Sequence, residues 1–165
     1  PPEDFAEVFE IARDRGYRVV AHAGEEGPPS YITGALDALG AERIDHGDSC
    51  LQSPVLMERL ARDRVPLTVC PLSNVRLRVV ESIAAHPLRR LMDAGLMVTV
   101  NSDDPAYFGG YLTDNYVAVA EALGLGLSDL ATLAEASFEA SFLEQDAKDV
   151  RIAEVRAYAA SHGVE

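Results

Sequence analysis

The sequence predicts an α/β fold of parallel βα units, because four apolar segments typical of short strands alternate with segments of helical periodicity. Polar residues close these strands at regular intervals: His22, His46 and Cys70 are spaced 24 residues apart, and Asn101 comes 31 residues later. The glycine-rich phosphate-binding fingerprint of a doubly wound sheet is absent from the sequence. The prediction is therefore half of a (β/α)8 TIM-type barrel, whose units average about 30 residues, followed by C-terminal helices.

The first part of the chain supplies two helices and two strands. Apolar residues recur at helical spacing from Phe5 onward, and Gly16 is expected to end this helix. The apolar run at residues 17–21 predicts a buried strand. After a loop rich in glycine and proline, Ser30 is expected to cap a helix, and a second strand is expected at residues 43–45.

The remaining elements continue this alternation and then become helical. The predicted bounds are strands at 65–69 and 96–100 and helices at 54–62, 87–94, 116–123, 128–136 and 144–161. We expect one domain over residues 1–165, since this length is typical of a single domain or of a substantial piece of a larger one.

Composition excludes several classes of protein. With 14 basic and 27 acidic side chains the net charge is −13, which argues against nucleic acid as a partner. The sequence has no run of about 18 apolar residues that would predict insertion into a membrane. Two cysteines cannot form a disulfide scaffold, and no signal-peptide pattern is present. We therefore expect a soluble, reduced, cytoplasmic protein.

Chemically reactive side chains follow each predicted strand. Because the carboxyl ends of parallel barrel strands meet at one rim, we expect these side chains to lie close together. Each residue alone also has a structural interpretation: the Asp-Asp-Pro sequence is typical of a turn, and Glu25 is typical of a solvated loop. The four segments are His22-Ala-Gly-Glu25, Asp45-His46-Gly47, Cys70-Pro-Leu-Ser-Asn74 and Ser102-Asp103-Asp104-Pro105.

In this order and at this spacing, the four segments resemble the adenosine/adenine deaminase family of the metal-dependent amidohydrolases. The resemblance covers nearly the whole chain and corresponds to the C-terminal half of the family's barrel. The run Asn101-Ser-Asp-Asp-Pro-Ala-Tyr-Phe-Gly-Gly110 is most similar to the adenine-deaminase branch.

The resemblance implies a role for each matching residue. His22 and Asp103 would be ligands of one Zn²⁺ ion, a metal for which imidazole and carboxylate are suitable donors. Glu25 would protonate N1 of a purine, and His46 would orient the attacking water and take up its proton. Asp104 would hydrogen-bond the purine at N7. We expect His22 and Asp103 to lie close enough to hold the same ion.

One feature departs from the family. The His-x-His pair of the family's first strand is missing, and two protein ligands are fewer than the three that a catalytic zinc site usually has. The absence of an initiator Met and the count of four βα units favour an N-terminal half outside this chain, which would then be its partner. An exposed apolar flank is expected where that half would pack. Loss of the metal is the alternative, and two ligands do not distinguish zinc from iron or manganese.

The function that the resemblance implies is hydrolysis of adenine to hypoxanthine and ammonia. Adenosine deaminase, converting adenosine to inosine, is the alternative enzyme, and a non-catalytic barrel half that acts as a binding module is a further alternative. The zinc deaminases that use Cys-x-x-Cys are excluded, because that sequence does not occur. Tyr107 and Phe108 favour adenine if they narrow the pocket, but they are also compatible with the core of a following helix.

Overall fold

The computed structural model describes residues 1–164, which form two compact units. The first unit contains Pro1–Val69 and Arg90–Met97, and the second contains Cys70–Arg89 and the described residues from Val98 onward. The single-domain interpretation of residues 1–165 stays a prediction.

The strands are β1 (Val20–Ala23), β2 (Arg43–His46), β3 (Leu67–Val69) and β4 (Val98–Val100). The helices are α1 (Ala6–Asp14), α2 (Pro29–Asp37), α3 (Pro54–Arg62), α4 (Pro71–Arg76), α5 (Leu88–Asp93), α6 (Pro105–Phe108), α7 (Leu112–Leu123), α8 (Leu127–Glu139) and α9 (Gln145–Ser161).

In the first unit, β1, β2 and β3 lie side by side in chain order and are parallel. The register sets His22 opposite Asp45 and Ile44 opposite Leu67. Ile44 and Leu67 are fully buried, as is Ile32 of α2. Helices connect the strands, as a parallel sheet requires. This arrangement brings the carboxyl ends of β1 and β2 together.

In the second unit, a buried strand accompanies a group of helices. All three residues of β4 are buried, and Val119 of α7 and Leu133 of α8 are almost completely inaccessible to solvent. Asp114 accepts a hydrogen bond of 2.6 Å from the amide of Tyr111 and so caps the N-terminus of α7. Helices α8 and α9 pack against each other. None of the helices within residues 1–164 combines the length and apolar character needed to cross a bilayer.

The first unit exposes apolar side chains along α1. Phe5, Val8 and Ile11 are 56%, 56% and 44% exposed. A groove of about 410 Å³ is lined by Phe5 and by residues of β1 and α2. The first unit therefore has an exposed apolar surface, and the packing of an N-terminal half against it stays a prediction.

Two boundary predictions near the start of the chain are wrong. The first strand spans Val20–Ala23 and not residues 17–21, because Gly16 and Tyr17 still belong to the end of α1: their amides donate to Arg13 and Ala12, and Gly16 has a φ of 79°. Ser30 does not cap α2. Pro28 is the capping position and Pro29 begins the helix, which leaves Ser30 inside the first turn.

Two short helices were not expected from the sequence. Helix α4 begins at Pro71, where the sequence predicts a loop, and helix α6 begins at Pro105, where the Asp-Asp-Pro sequence is typical of a turn. Proline fits the first position of a helix because that position needs no amide donor, so the same Pro that signals a turn also starts a helix. The other predicted helices and strands are present with boundaries shifted by a few residues.

Candidate active site

Three predicted site residues meet where β1 and β2 end. The rings of His22 and His46 have centroids 5.1 Å apart, inclined at 55°. Oε1 of Glu25 lies 3.5 Å from Nδ1 of His46. His46 is only 1% exposed, whereas the His22 side chain is 71% exposed. The structure thus brings Glu25, His46 and His22 into one cluster in the first unit.

Backbone geometry holds this cluster together. His46 and Gly47 both have left-handed backbone conformations, with φ of 68° and 85°. For a non-glycine residue this conformation is uncommon and carries strain, which is found most often at functional sites. The amide of Gly47 donates to the carbonyl of Ala23, and the amide of Ser49 donates to the carbonyl of Gly24. These two bonds join the turn that carries His46 to the turn that leads to Glu25.

Asp45 of β2 has polar neighbours on its own strand and on the two adjacent strands. Its Oδ2 lies 3.4 Å from Nδ1 of His22, its opposite neighbour in the sheet register. Its Oδ1 accepts a hydrogen bond of 2.7 Å from the Thr68 hydroxyl and lies 3.5 Å from Nε of Arg43. The two oxygens of this carboxylate therefore face different neighbours.

Asp48 is a buried acid two residues after His46. Burial, with a smaller contribution from the negative charge of Glu25, raises the pKa of Asp48 to about 7. Burial next to Asp48 likewise raises the pKa of the Cys50 thiol to about 12. Asp48 is thus protonated over a wide acidic range, and the negative charge of Glu25 favours its neutral form.

The second unit holds the two predicted aspartates. Asp103 has a left-handed backbone with φ of 57°, and its Oδ2 accepts a hydrogen bond of 2.7 Å from the hydroxyl of the fully buried Ser73. Asp104 is exposed, and its Oδ1 accepts a bond of 3.2 Å from the Tyr107 amide, which caps α6. The side chain of Asp103 is therefore oriented by a neighbour on α4.

His86 of the second unit is a structural residue. Its Nε2 donates to Oδ1 of the buried Asn74 at 3.2 Å, and its Nδ1 accepts from the amide of Leu88 at 3.1 Å. The second bond requires an unprotonated Nδ1. Burial lowers the pKa of His86 to about 4, so the ring stays neutral at physiological pH.

The aromatic residues after the aspartates are divided between surface and interior. Tyr107 is 78% exposed, so the alternative that makes it a core residue is wrong. Its ring meets that of Phe108 edge to face, with centroids 5.1 Å apart. The carbonyl of Phe108 accepts a bond of 3.1 Å from Nε of Arg76. An aromatic pair, of which Tyr107 is exposed and Phe108 half-buried, therefore follows the predicted ligand Asp103.

The side chains present suit a zinc ion. His22 and Asp103 offer an imidazole nitrogen and a carboxylate oxygen, and each has an orienting neighbour within its own unit, Asp45 and Ser73. Metal-binding histidines usually turn their second ring nitrogen toward a carboxylate or carbonyl, as His22 does. The shared ligation of one ion by His22 and Asp103, and the catalytic roles of the other residues, stay predictions.

Sequence reasoning missed Asp45, Ser73 and Asp48. Asp45 was recognised only as part of a motif, although a charged residue inside a short apolar strand is itself a signal of a specific partner. Ser73 and Asp48 gave no such signal, because their burial became visible only with the fold.

Comparison with known proteins supports the family resemblance of the four sequence segments. Residues 1–158 match the family model of adenosine deaminase. The chain is 62% identical over 161 residues to an adenine deaminase of Streptomyces coelicolor, covering 96% of this chain and 47% of that protein. The chain therefore spans about half the length of the curated relatives it matches.

Solved structures agree with this result. The crystal structure of adenine deaminase from Arthrobacter aurescens is 50% identical and superimposes with a TM-score of 0.95, covering 96% of this chain and 49% of that one. An amidohydrolase from Burkholderia ambifaria with bound Zn is 27% identical, with a TM-score of 0.88 over 98% of this chain and 46% of that one. The predicted α/β class and half-barrel extent are confirmed by these matches. The chain belongs to the adenosine deaminase family.

Proposed function

We propose that this chain is one half of a metal-dependent aminohydrolase that converts adenine to hypoxanthine and ammonia. The observation that carries the proposal is the cluster of Glu25, His46 and His22, in which Glu25 Oε1 lies 3.5 Å from His46 Nδ1. A carboxyl group beside an imidazole suits a hydrolysis in which one group donates a proton and the other accepts one. The 62% identity with an adenine deaminase supports adenine as the substrate.

His22 and Asp103 are the proposed zinc ligands. Two ligands are too few for a catalytic zinc site, so we assign the others to the remaining half of the barrel, which is the proposed partner of this chain. The chemistry that a bound zinc ion supplies is a lowering of the pKa of water to about 7. The relative that contains bound Zn supports this choice of metal.

Two residues of this chain move protons in the proposed reaction. The imidazole of His46 accepts a proton from the water that attacks C6 of the purine. Glu25, in its protonated form, donates a proton to N1, which makes C6 more electrophilic. The proton held by His46 passes to the departing amino group, which leaves as ammonia. The second proton of the water is released as the C6 carbonyl forms and returns to Glu25, so both side chains regain their starting states and the reaction is balanced.

Asp104 and the aromatic pair are proposed to select the substrate. The Asp104 carboxylate would hydrogen-bond the purine at N7, from its position at the start of α6. Tyr107 and Phe108 lie on that helix, and bulky rings there would leave little room for a ribose. A site that fits only the free base would exclude the nucleoside by steric clash.

The test compares substrates on the full-length protein. We expect kcat/KM for adenine to exceed that for adenosine at equal zinc loading, and we expect a chelator to abolish turnover. A preference for adenosine would contradict adenine as the proposed substrate but would leave the proposed deamination reaction unchanged. A zinc-loaded protein that deaminates neither adenine nor adenosine would contradict the enzymatic proposal and favour a binding module.

A further inference from the structure

We propose that Asp45 is a positioning residue that orients His22 for metal binding. This inference rests on the proposed function, because it concerns the affinity of the same site for zinc. Asp45 lies on β2 directly opposite His22 of β1, and its Oδ2 is 3.4 Å from Nδ1 of the imidazole.

The ring of His22 needs an orienting partner. Its side chain is 71% exposed, so packing within the first unit restrains it little. The ring also contacts His46, whose centroid is 5.1 Å away, but an inclined ring contact does not select one tautomer. A carboxylate at Nδ1 favours the proton on that nitrogen and leaves Nε2 as the electron-pair donor to a metal.

Asp45 is itself held in place. Its Oδ1 accepts from the Thr68 hydroxyl at 2.7 Å and lies 3.5 Å from Nε of Arg43, while Oδ2 faces His22. The Thr68 bond comes from the adjacent strand β3, in which Thr68 is paired with Asp45 in the parallel register. Three neighbouring strands thus form a chain from Thr68 through Asp45 to His22.

A purely structural role makes a different prediction. If Asp45 served only to pair with Arg43 and Thr68, its replacement would lower the stability of the fold and leave the zinc affinity of the folded protein unchanged. If it orients His22, the zinc affinity falls even in a variant of normal stability. Loss of such an orienting partner typically reduces metal affinity 10- to 100-fold.

The experiment measures zinc affinity in the full-length protein by competition with a chromophoric chelator. We expect Asp45→Ala to weaken zinc binding roughly 10- to 100-fold. Asp45→Asn should give a smaller loss, because its amide oxygen can accept the Nδ1 proton but carries no charge. Thr68→Val should weaken zinc binding least, since Asp45 remains but loses the hydrogen bond from the Thr68 hydroxyl.

The matched control is Asp37→Asn in the same unit. Asp37 lies on α2 and pairs with Arg59 of α3 at 2.5 Å, so the same chemical change is made without touching His22. The electronic spectrum of the cobalt-substituted protein gives a second readout, because a reoriented imidazole changes the ligand field. Asp37→Asn should leave both measurements unchanged.

The outcomes separate this inference from the proposed function. Normal zinc affinity in folded Asp45→Ala, or in Asp45→Asn and Thr68→Val if the alanine variant does not fold, would overturn the role of Asp45. Weakened zinc binding in a protein that does not deaminate adenine would support Asp45 and contradict the proposed function. A wild-type protein that binds no zinc would overturn both.

Discussion

Asp48 of the first unit and His86 of the second are both buried and have strongly shifted pKa values, and the two shifts have opposite directions. In the first unit, burial and the charge of Glu25 raise the pKa of Asp48 from 3.8 to about 7. In the second unit, burial lowers the pKa of His86 from 6.5 to about 4. Both environments disfavour the charged form, which for an acid is the deprotonated state and for histidine the protonated state.

His86 and Asp48 have different neighbours, and this difference distinguishes their roles. Both ring nitrogens of His86 are engaged, by Asn74 and by the Leu88 amide, in a network that ties α4 to the start of α5. Asp48 instead interacts electrostatically with Glu25, which lies beside His46. A shifted pKa therefore indicates burial in both units, and only the ionisable neighbours connect one of the two side chains, Asp48, to the proposed proton transfer.

The largest expected effect is that of Glu25→Gln in the full-length protein. Glutamine retains the size of the side chain but cannot donate the acidic proton to N1, so kcat should fall roughly 10²- to 10⁴-fold. Zinc content should stay normal, because Glu25 is not a proposed ligand. The measurement is steady-state deamination of adenine together with metal analysis. A variant that retains near-normal kcat would contradict the proposal that the first unit supplies the proton donor and the second does not.

The second expected effect is an opposite pH dependence of local stability. Between pH 3.8 and about 7, the folded protein keeps the Asp48 proton that the unfolded chain releases, so the contribution of Asp48 falls as pH rises. Between pH 6.5 and about 4, the unfolded chain protonates His86 while the folded protein does not, so that contribution falls as pH drops. Each contribution is on the order of a few kcal/mol.

Amide hydrogen exchange, converted to free energies of local opening, measures the two trends separately. Amides of β2 should become less protected from pH 4 to pH 7, and amides of α4 should become more protected. Asp48→Asn should flatten the trend in the first unit only, and His86→Gln the trend in the second only. Parallel trends in both units would contradict the assigned directions.

The smallest expected effect concerns the second proposed ligand. The Ser73 hydroxyl donates to Asp103 Oδ2 at 2.7 Å from a fully buried position. Loss of one hydrogen bond of about 1–1.5 kcal/mol in Ser73→Ala should weaken zinc binding by about tenfold. Ser102→Ala is the control, because that hydroxyl donates to the backbone carbonyl of Asp103, at 3.4 Å, and not to its carboxylate. Equal affinities of the two variants would show that Asp103 needs no support from Ser73.

The sequence was sufficient to predict the alternation of strands and helices and the position of His22 and His46 at strand ends. It was not sufficient to predict the partner of His22. Asp45 faces His22 only because of the parallel register of β1 and β2, and a shift of one residue would turn Asp45 to the other side of the sheet. Spacing along the chain does not determine that register.

Local signals were also ambiguous where one residue serves two structures. Pro71 lies in a predicted loop and Pro105 in a predicted turn, but both begin helices, since proline suits loops, turns and the first position of a helix. Gly16 correctly predicted the end of α1, but the capping bonds extend through Tyr17 and delay the first strand to Val20. The burial of Ser73 and Asp48 depends on contacts distant in sequence, so no local pattern indicates it.

The two backbone bonds between the turns after β1 and β2 have a consequence for folding kinetics. They join Ala23 to Gly47 and Gly24 to Ser49, so they close a segment of modest length that contains a single helix. Contacts at short sequence separation require little loop-closure entropy and form early along a folding pathway. Glu25 and His46 should therefore come together as soon as the first βαβ segment forms, so that the rate of pairing of β1 with β2 also sets the rate at which this acid–imidazole pair is assembled.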